Sequence, residues 1–266
     1  MESKNTSLGY SDADQLKKYA EDLVKVYKAE RQKRKALETT NKQLVKYADD
    51  LNKTFSELKA LHKELQEAYL DTVHRLVLAA EYKDEDTASH IVRMGKYCAL
   101  IAEKLGLPPK EVENIRYASP MHDVGKIGIP DSILMKPGKL TKEEFEIMKT
   151  HTTIGAKILA NSKAEILQIA EQIALNHHEK WNGQGYPRGI TGENIPLPAR
   201  IVSIADVFDA LISKRPYKDP FPIEVAFDII KKERGKHFDP EIVDVFLKNI
   251  DEILKIKDEV IEAEVK

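Results

Sequence analysis

The sequence predicts an all-α protein in which one very long helix precedes a bundle of shorter helices. Three observations carry that expectation. Leucine recurs every seven residues across the N-terminal quarter of the chain. Beyond it, apolar residues recur at spacings of three and four. No segment of useful length alternates apolar and polar residues as a half-buried strand does.

The long helix comes first. Leu16, Leu23, Leu37, Leu44, Leu51, Leu58 and Leu65 form the seven-residue row, which only Glu30 interrupts. A second row of mostly apolar residues stands three or four places away, including Ala20, Val26, Tyr27, Tyr47, Phe55, Leu61 and Tyr69. Neither Pro nor Gly occurs between Ser11 and Leu70. A sustained period of seven specifies a left-handed coiled coil. About 60 residues of helix span roughly 90 Å, too far for a small domain to cover, so the stripe calls for a partner helix. Arg34 and Asn41 fall on a core row, where polar residues fix register and favour dimers. We expect a coiled-coil dimerisation helix over residues 1–72 and a helical domain over 73–266. The polar seam passes into Leu76-Val77-Leu78-Ala79-Ala80 without a breaker, so the helix is expected to run on into the domain.

Further helices follow in order. Val112, Ile115, Ala118 and Met121 share a face and lead to His122. Thr141 with Glu144 reads as a capping box. The helix it opens is expected to carry Met148, His151, Gly155 and Ile158 on one face. Ile166, Ile169, Ala170 and Ile173 form another stripe, which His177 continues. Asp206, Asp209 and Ala210 share a face further on. Pro130, Pro137-Gly138, Gly183 to Pro187 and Gly189 mark loops.

Composition sets limits on the partners. The 266 residues are 42% hydrophobic and 32% charged, with a net charge of −2. That balance makes no electrostatic case for duplex nucleic acid or an anionic membrane, so phosphate must be met by local cations. No apolar run approaches the ~18 residues that span a bilayer, and Met1-Glu2-Ser3-Lys4-Asn5 has no apolar signal-peptide core. The single Cys98 lies in an apolar helical stretch and reads as a small buried hydrophobe. A reducing, cytoplasmic location is expected.

The chemistry-bearing residues form an ordered series: His90, the adjacent pair His122-Asp123, His151, the doublet His177-His178, and Asp206. Five of the eight histidines belong to it. One histidine on an apolar helix face is ordinarily a core residue satisfied by a single hydrogen bond. Burying several imidazoles and two carboxylates together without a cation is costly. Imidazole and carboxylate without thiolate suit Fe, Mn or Zn.

In order and spacing, this series resembles the HD-GYP family of metal-dependent phosphodiesterases. His177-His178-Glu179-Lys180-Trp181-Asn182-Gly183-Gln184-Gly185-Tyr186-Pro187 carries the Gly-Tyr-Pro signature. Lys83 to Thr87, Ile127 to Asp131, Arg215-Pro216-Tyr217 and Lys236 to Pro240 also match, so the resemblance covers roughly residues 73 to 250. Asn182 departs from the Asp usual in the signature loop.

The resemblance implies an HD-domain-like helical bundle that hydrolyses cyclic di-GMP to linear pGpG, and onward to GMP. It implies two or three divalent ions, Fe or Mn, held by Asp86, His90, His122, Asp123, His151, His177, His178 and Asp206. Asp123 would bridge, and Asp86 would serve a third ion. Lys126, Asp123 and Asp209 are the expected catalytic groups, with Asp209 placed either to orient a ligand or to touch substrate. Lys126, Tyr186, Asp209, Arg215 and Lys218 are the expected substrate contacts, Arg suiting phosphate and guanine edges. The coil is expected to form a parallel homodimer and to relay a signal from an upstream sensory partner. Two alternatives stand beside this reading: a phosphodiesterase for a mixed cyclic GMP-AMP dinucleotide, and a nucleotide- or protein-binding adaptor with little turnover.

Overall fold

The heptad segment forms a single helix, α1 (Asp12–Glu81), in the computed structural model, which describes residues 12–81, 88–213 and 219–264. Without Gly or Pro, nothing in α1 opposes the i→i−4 ladder, and i,i+4 pairs such as Arg34–Glu38 and Lys63–Glu67 lie along its surface. From residue 12 to 68 every side chain is exposed, the heptad leucines among them. The chain divides into two compact units, Met1–Ala68 and Tyr69–Lys266. The last turns of α1 belong to the second unit, where Val77 is buried in the core.

The second unit is all-α among the described residues, its one β-type pairing an isolated bridge between Arg234 and Phe238. It comprises α2 (Ala88–Lys104), α3 (Pro109–Ala118), α4 (Asp131–Leu134), α5 (Lys142–Lys149), α6 (His151–Leu159), α7 (Glu165–Asn176), α8 (Leu197–Ile212), α9 (Ile223–Lys232), α10 (Pro240–Lys248) and α11 (Ile250–Glu264). Short 3-10 turns at Ser119–Met121, Val124–Gly128 and Gly192–Asn194 join some of them. Apolar α2 packs against α3, α8 and α11, and α6 packs against α7 and the Val124–Gly128 turn. Met94, Tyr97, Ile101, Ile204, Phe208 and Phe246 fill the centre, with Phe208 edge-on to Tyr97 and Phe246.

Two expectations about helix extent change. The helix leading to His122 ends at Ala118 and tightens into a 3-10 turn, because Pro120 has no N–H for the i→i−4 ladder. The helix opened by Thr141 breaks at Thr150 instead of running through to Ile158. The capping box itself is present. The break has a local cause: Thr150, Thr152 and Thr153 donate their hydroxyls to the carbonyls of Ile147, Lys149 and Thr150, while the His151 ring engages Met148 O. These i→i−3 bonds compete with the helical ladder. Ile158 is about half exposed and does not share the buried face of His151 and Gly155.

Candidate metal centre

Backbone breaks deliver most of the site. His122 follows the Ser119–Met121 turn, His151 opens α6, and His177 is the C-cap residue of α7. In each ring Nδ1 meets a main-chain carbonyl three or four residues back. His122 Nδ1 lies 3.0 Å from Ser119 O, His151 Nδ1 2.7 Å from Met148 O, and His177 Nδ1 3.1 Å from Ile173 O. A carbonyl only accepts, so each Nδ1 carries a proton, and in the neutral ring Nε2 is the nitrogen that keeps a lone pair.

Those Nε2 atoms converge on Asp123. His151 Nε2 and His177 Nε2 lie 3.2 and 3.4 Å from Oδ1, and His122 Nε2 lies 3.3 Å from Oδ2. On the other side His122 Nε2 is 3.9 Å from Asp206 Oδ1. The result is two neighbouring groups, Asp123 with His151, His177 and His178, and His90 with His122 and Asp206. In each group the offered atoms lie within 4.8 Å of one another.

The residues fit metal ions on a second count. Asp123 Oδ1 is buried, and no hydrogen-bond donor reaches it among the described residues. Imidazole lone pairs and a carboxylate lone pair that face one another are repulsive unless a cation lies between them. Ligands about 2.0–2.2 Å from one ion sit at most about 4.4 Å apart, so small side-chain movements close each group. The electrostatics agree. Burial opposes the charge on Asp123, but the Lys126 ammonium beside it holds its carboxyl well below the usual range. Burial likewise lowers His177 and His178, keeping both rings neutral and able to ligate.

The surrounding residues take distinct places. Lys126 Nζ lies 2.7 Å from Asp123 Oδ2. Tyr186 stacks on His178 with ring centroids 4.7 Å apart. Its hydroxyl is pushed up, by burial first and then by Asp123 and Asp206, and stays a donor. Asp209 is buried, and both its oxygens are engaged, Oδ1 by Arg93 and Oδ2 by Arg93 and His90. Asp86, Arg215 and Lys218 lie outside the described residues.

Sequence reasoning passed over two supports. Glu179, buried beside His178, accepts the backbone N–H groups of Arg188 and Ile190 at 2.7 and 3.2 Å, and so holds the loop that carries Tyr186. Gly185 in that loop passes so near Glu179 and Lys180 that a Cβ would lie 2.3 Å from Lys180 N. Arg93 is the other; its position three residues after His90, on the same buried face of α2, was the available signal. Asn182 Oδ1 accepts Gln184 N at 3.0 Å, a turn bond that an Asp oxygen makes equally.

A helical unit that converges imidazoles and carboxylates on an adjacent His-Asp pair defines the class. The sequence profile of the HD-domain family matches residues 34–242. The chain belongs to that family, and its His-Asp and Gly-Tyr-Pro motifs place it in the HD-GYP branch. It is 49% identical over 193 residues to a Thermotoga maritima protein named cyclic di-GMP phosphodiesterase, a match covering 73% of this chain and 52% of that one. It is 48% identical over 191 residues to the Xanthomonas campestris cyclic di-GMP phosphodiesterase response regulator RpfG, covering 72% and 50%. A Vibrio cholerae 3′3′-cGAMP-specific phosphodiesterase 2 is 44% identical over 194 residues, covering 73% and 37%. The chain thus spans about half the length, or less, of the curated relatives it matches. The fold is shared with a solved V. cholerae cyclic GMP-AMP phosphodiesterase, V-cGAP3, at TM-score 0.53 and 22% identity over 72% of this chain and 53% of that one. Among the described residues no helix is long and apolar enough to cross a membrane.

Proposed function

We propose that this chain is a metal-dependent phosphodiesterase that opens cyclic di-GMP to linear pGpG, and onward to GMP. The observation that carries the reading is the pair of ligand groups meeting at His122 and Asp123. His90, His122 and Asp206 would hold one divalent ion, and His151, His177 and His178 the other, with Asp123 bridging. Fe or Mn suits the donor set. Asp86 is kept as a ligand for a third ion. When bound, the ions supply Lewis acidity toward the phosphodiester and acidify water for in-line attack. Lys126 neutralises a non-bridging phosphate oxygen. Tyr186 offers a hydroxyl donor and an aromatic face to the nucleotide. Arg215 and Lys218 are assigned to guanine or phosphate on resemblance.

The exposed leucine row of α1 supports a second part of the proposal, a parallel homodimer through the N-terminal coil. A heptad stripe this long buries itself only against another such helix. Parallel pairing sets both catalytic units at the same end of the coil, where an upstream sensory partner would act on both. The buried thiol of Cys98 suits a reducing, cytoplasmic setting.

The V. cholerae 3′3′-cGAMP-specific relative favours a second substrate, a mixed cyclic GMP-AMP dinucleotide. Anaerobically prepared protein loaded with Fe(II) or Mn(II) should be assayed with both dinucleotides, the ratio of kcat/KM naming the substrate. Asp123→Ala should lose turnover and metal while keeping its helicity. Full metal content with full turnover in that variant defeats the assignment. Tight nucleotide binding without hydrolysis by the parent chain makes it an adaptor.

A further inference from the structure

His90 differs from His122, His151 and His177 in how its ring is held. Those three rest Nδ1 on main-chain carbonyls, whereas His90 Nδ1 lies 2.8 Å from Asp209 Oδ2. A carbonyl is always an acceptor. A buried carboxylate keeps that role only while its surroundings hold it ionised and fixed. Arg93 supplies both conditions. Its Nε donates to Asp209 Oδ1 at 2.6 Å and its Nη2 to Oδ2 at 2.8 Å, a forked pair. Ser213 closes the arrangement, accepting from Arg93 Nη2 at 3.2 Å and donating to Asp209 Oδ2 at 3.3 Å. Side-chain exposure is 8% for Arg93, 2% for Asp209 and 4% for His90. A buried ion pair is a poor way to fill a core, since apolar residues of the same volume serve stability as well or better.

We propose that Arg93 is a positioning residue of the metal centre. By clamping both oxygens of Asp209, it sets the His90 tautomer and leaves Nε2 as the nitrogen offered toward His122 and Asp206. Arg93 acts through Asp209 and touches neither ion nor substrate. The inference rests on the metal-centre reading, and it extends the support of a histidine ligand by a carboxylate one residue outward.

The test uses Arg93→Met, Asp209→Asn and the double variant of the full chain. Two readouts are needed: the ¹⁵N resonances of the His90 ring in metal-free protein, and Mn(II) bound per chain by titration. In the parent chain His90 should show a protonated Nδ1. Arg93→Met should disturb that tautomer and weaken one Mn(II) by about 10- to 100-fold, sparing the ion at His151, His177 and His178. Asp209→Asn should do likewise. Arg93 donates to both oxygen positions, so either orientation of the amide sets its NH₂ against an Arg93 donor and the clamp that fixes the acceptor for His90 Nδ1 is lost. In the double variant the amide is free to rotate, so both the tautomer and part of the lost affinity should return. A merely structural arginine gives no such restoration.

An unchanged His90 tautomer with full Mn(II) binding in Arg93→Met overturns the proposal. If Arg93→Met fails to fold, the double variant, which carries no charge at either position, decides: the parental tautomer supports the proposal and its absence overturns it. A parent chain that binds no Mn(II) defeats the metal reading instead, and the tautomer measurement, made without metal, still judges Arg93.

Discussion

Gly125→Ala tests directly how the two halves of the site are brought together. A Cβ on Gly125 would lie 1.9 Å from His151 O, 2.4 Å from Gly155 N and 2.8 Å from His151 C. Ordinary contacts begin at 3.4 Å, so about 1.5 Å must be made up at the His151 carbonyl. The opposing atoms are main chain in α6, and no side-chain rotation relieves them. The Val124–Gly128 turn and α6 must therefore separate, carrying Asp123 away from His151, whose Nε2 now stands 3.2 Å from Oδ1. Metal sites tolerate ligand displacements of about 0.2 Å, several times less than the required shift. Overpacking of this kind costs about 1–3 kcal/mol, and each kcal/mol lowers Tm by about 2–4 °C in a unit of this size. The variant should melt roughly 2–12 °C lower and lose one Mn(II) per chain, with little change in helicity. Calorimetry, circular dichroism and Mn(II) titration read these out. Gly155→Ala is the calibrating variant. Its Cβ would meet Ala174 Cβ at 3.2 Å and Gly125 N at 3.3 Å, a matter of tenths of an ångström, so its effect should be much smaller. Parental Tm and metal content in Gly125→Ala, or the opposite order of severity, would refute the reasoning.

Two further outcomes are expected. Light scattering at micromolar concentration should give a dimer mass, and replacing Leu44, Leu51 and Leu58 together by Ser should dissociate it, since each buried leucine contributes roughly 1.5–3 kcal/mol; a monomeric parent chain ends the coiled-coil proposal, and crosslinks through Leu16→Cys distinguish parallel from antiparallel. Burial lowers the folded pKa of His177 and His178 below the ordinary 6.5, so below that pH the unfolded chain binds more protons than the folded one. Stability of the metal-free protein should be level above that value and decline as pH falls from it toward the depressed folded pKa, with metal affinity falling in the same direction. Urea midpoints measured from pH 8 to 5 that stay flat or rise on acidification contradict this.

Much of the architecture was legible because its signals are local. The heptad row without Gly or Pro announced α1 and its passage into the second unit, and Thr141 with Glu144 announced the start of α5. The series of His and Asp residues was legible as a ligand set through composition, order and resemblance. The break at Thr150 was hidden, because an apolar period of three to four says nothing about Thr and His side chains taking the helix carbonyls for themselves. The partner of Asp209 was hidden for a different reason. Arg93 and Asp209 are 116 residues apart, and only packing of α2 against α8 brings them together. Glu179 was read only as part of the Gly-Tyr-Pro motif, and its role appears once the loop folds back and sets two N–H groups against it.

The helix breaks that were hard to read are also what make the centre work. At the last turn of a helix the carbonyls lose their i+4 N–H partners. His122, His151 and His177 each stand just past such a turn and rest Nδ1 on its carbonyls, His177 on that of Ala174 and on that of Ile173, which also accepts the His177 N–H. One local event therefore ends the helix, aims the ring and sets its tautomer, with no further side chain required. His90 lies instead in the first turn of α2, on the wrong side of a helix for that device. Its Nδ1 is served by Asp209, from another helix, and that carboxylate is held in turn by Arg93. The position farthest from a helix C-terminus is thus the one that recruits a chain of buried side chains. For this reason a single substitution at Arg93 or Asp209 should uncouple one ion while leaving the other, whose ligands His151 and His177 are set by the backbone, in place.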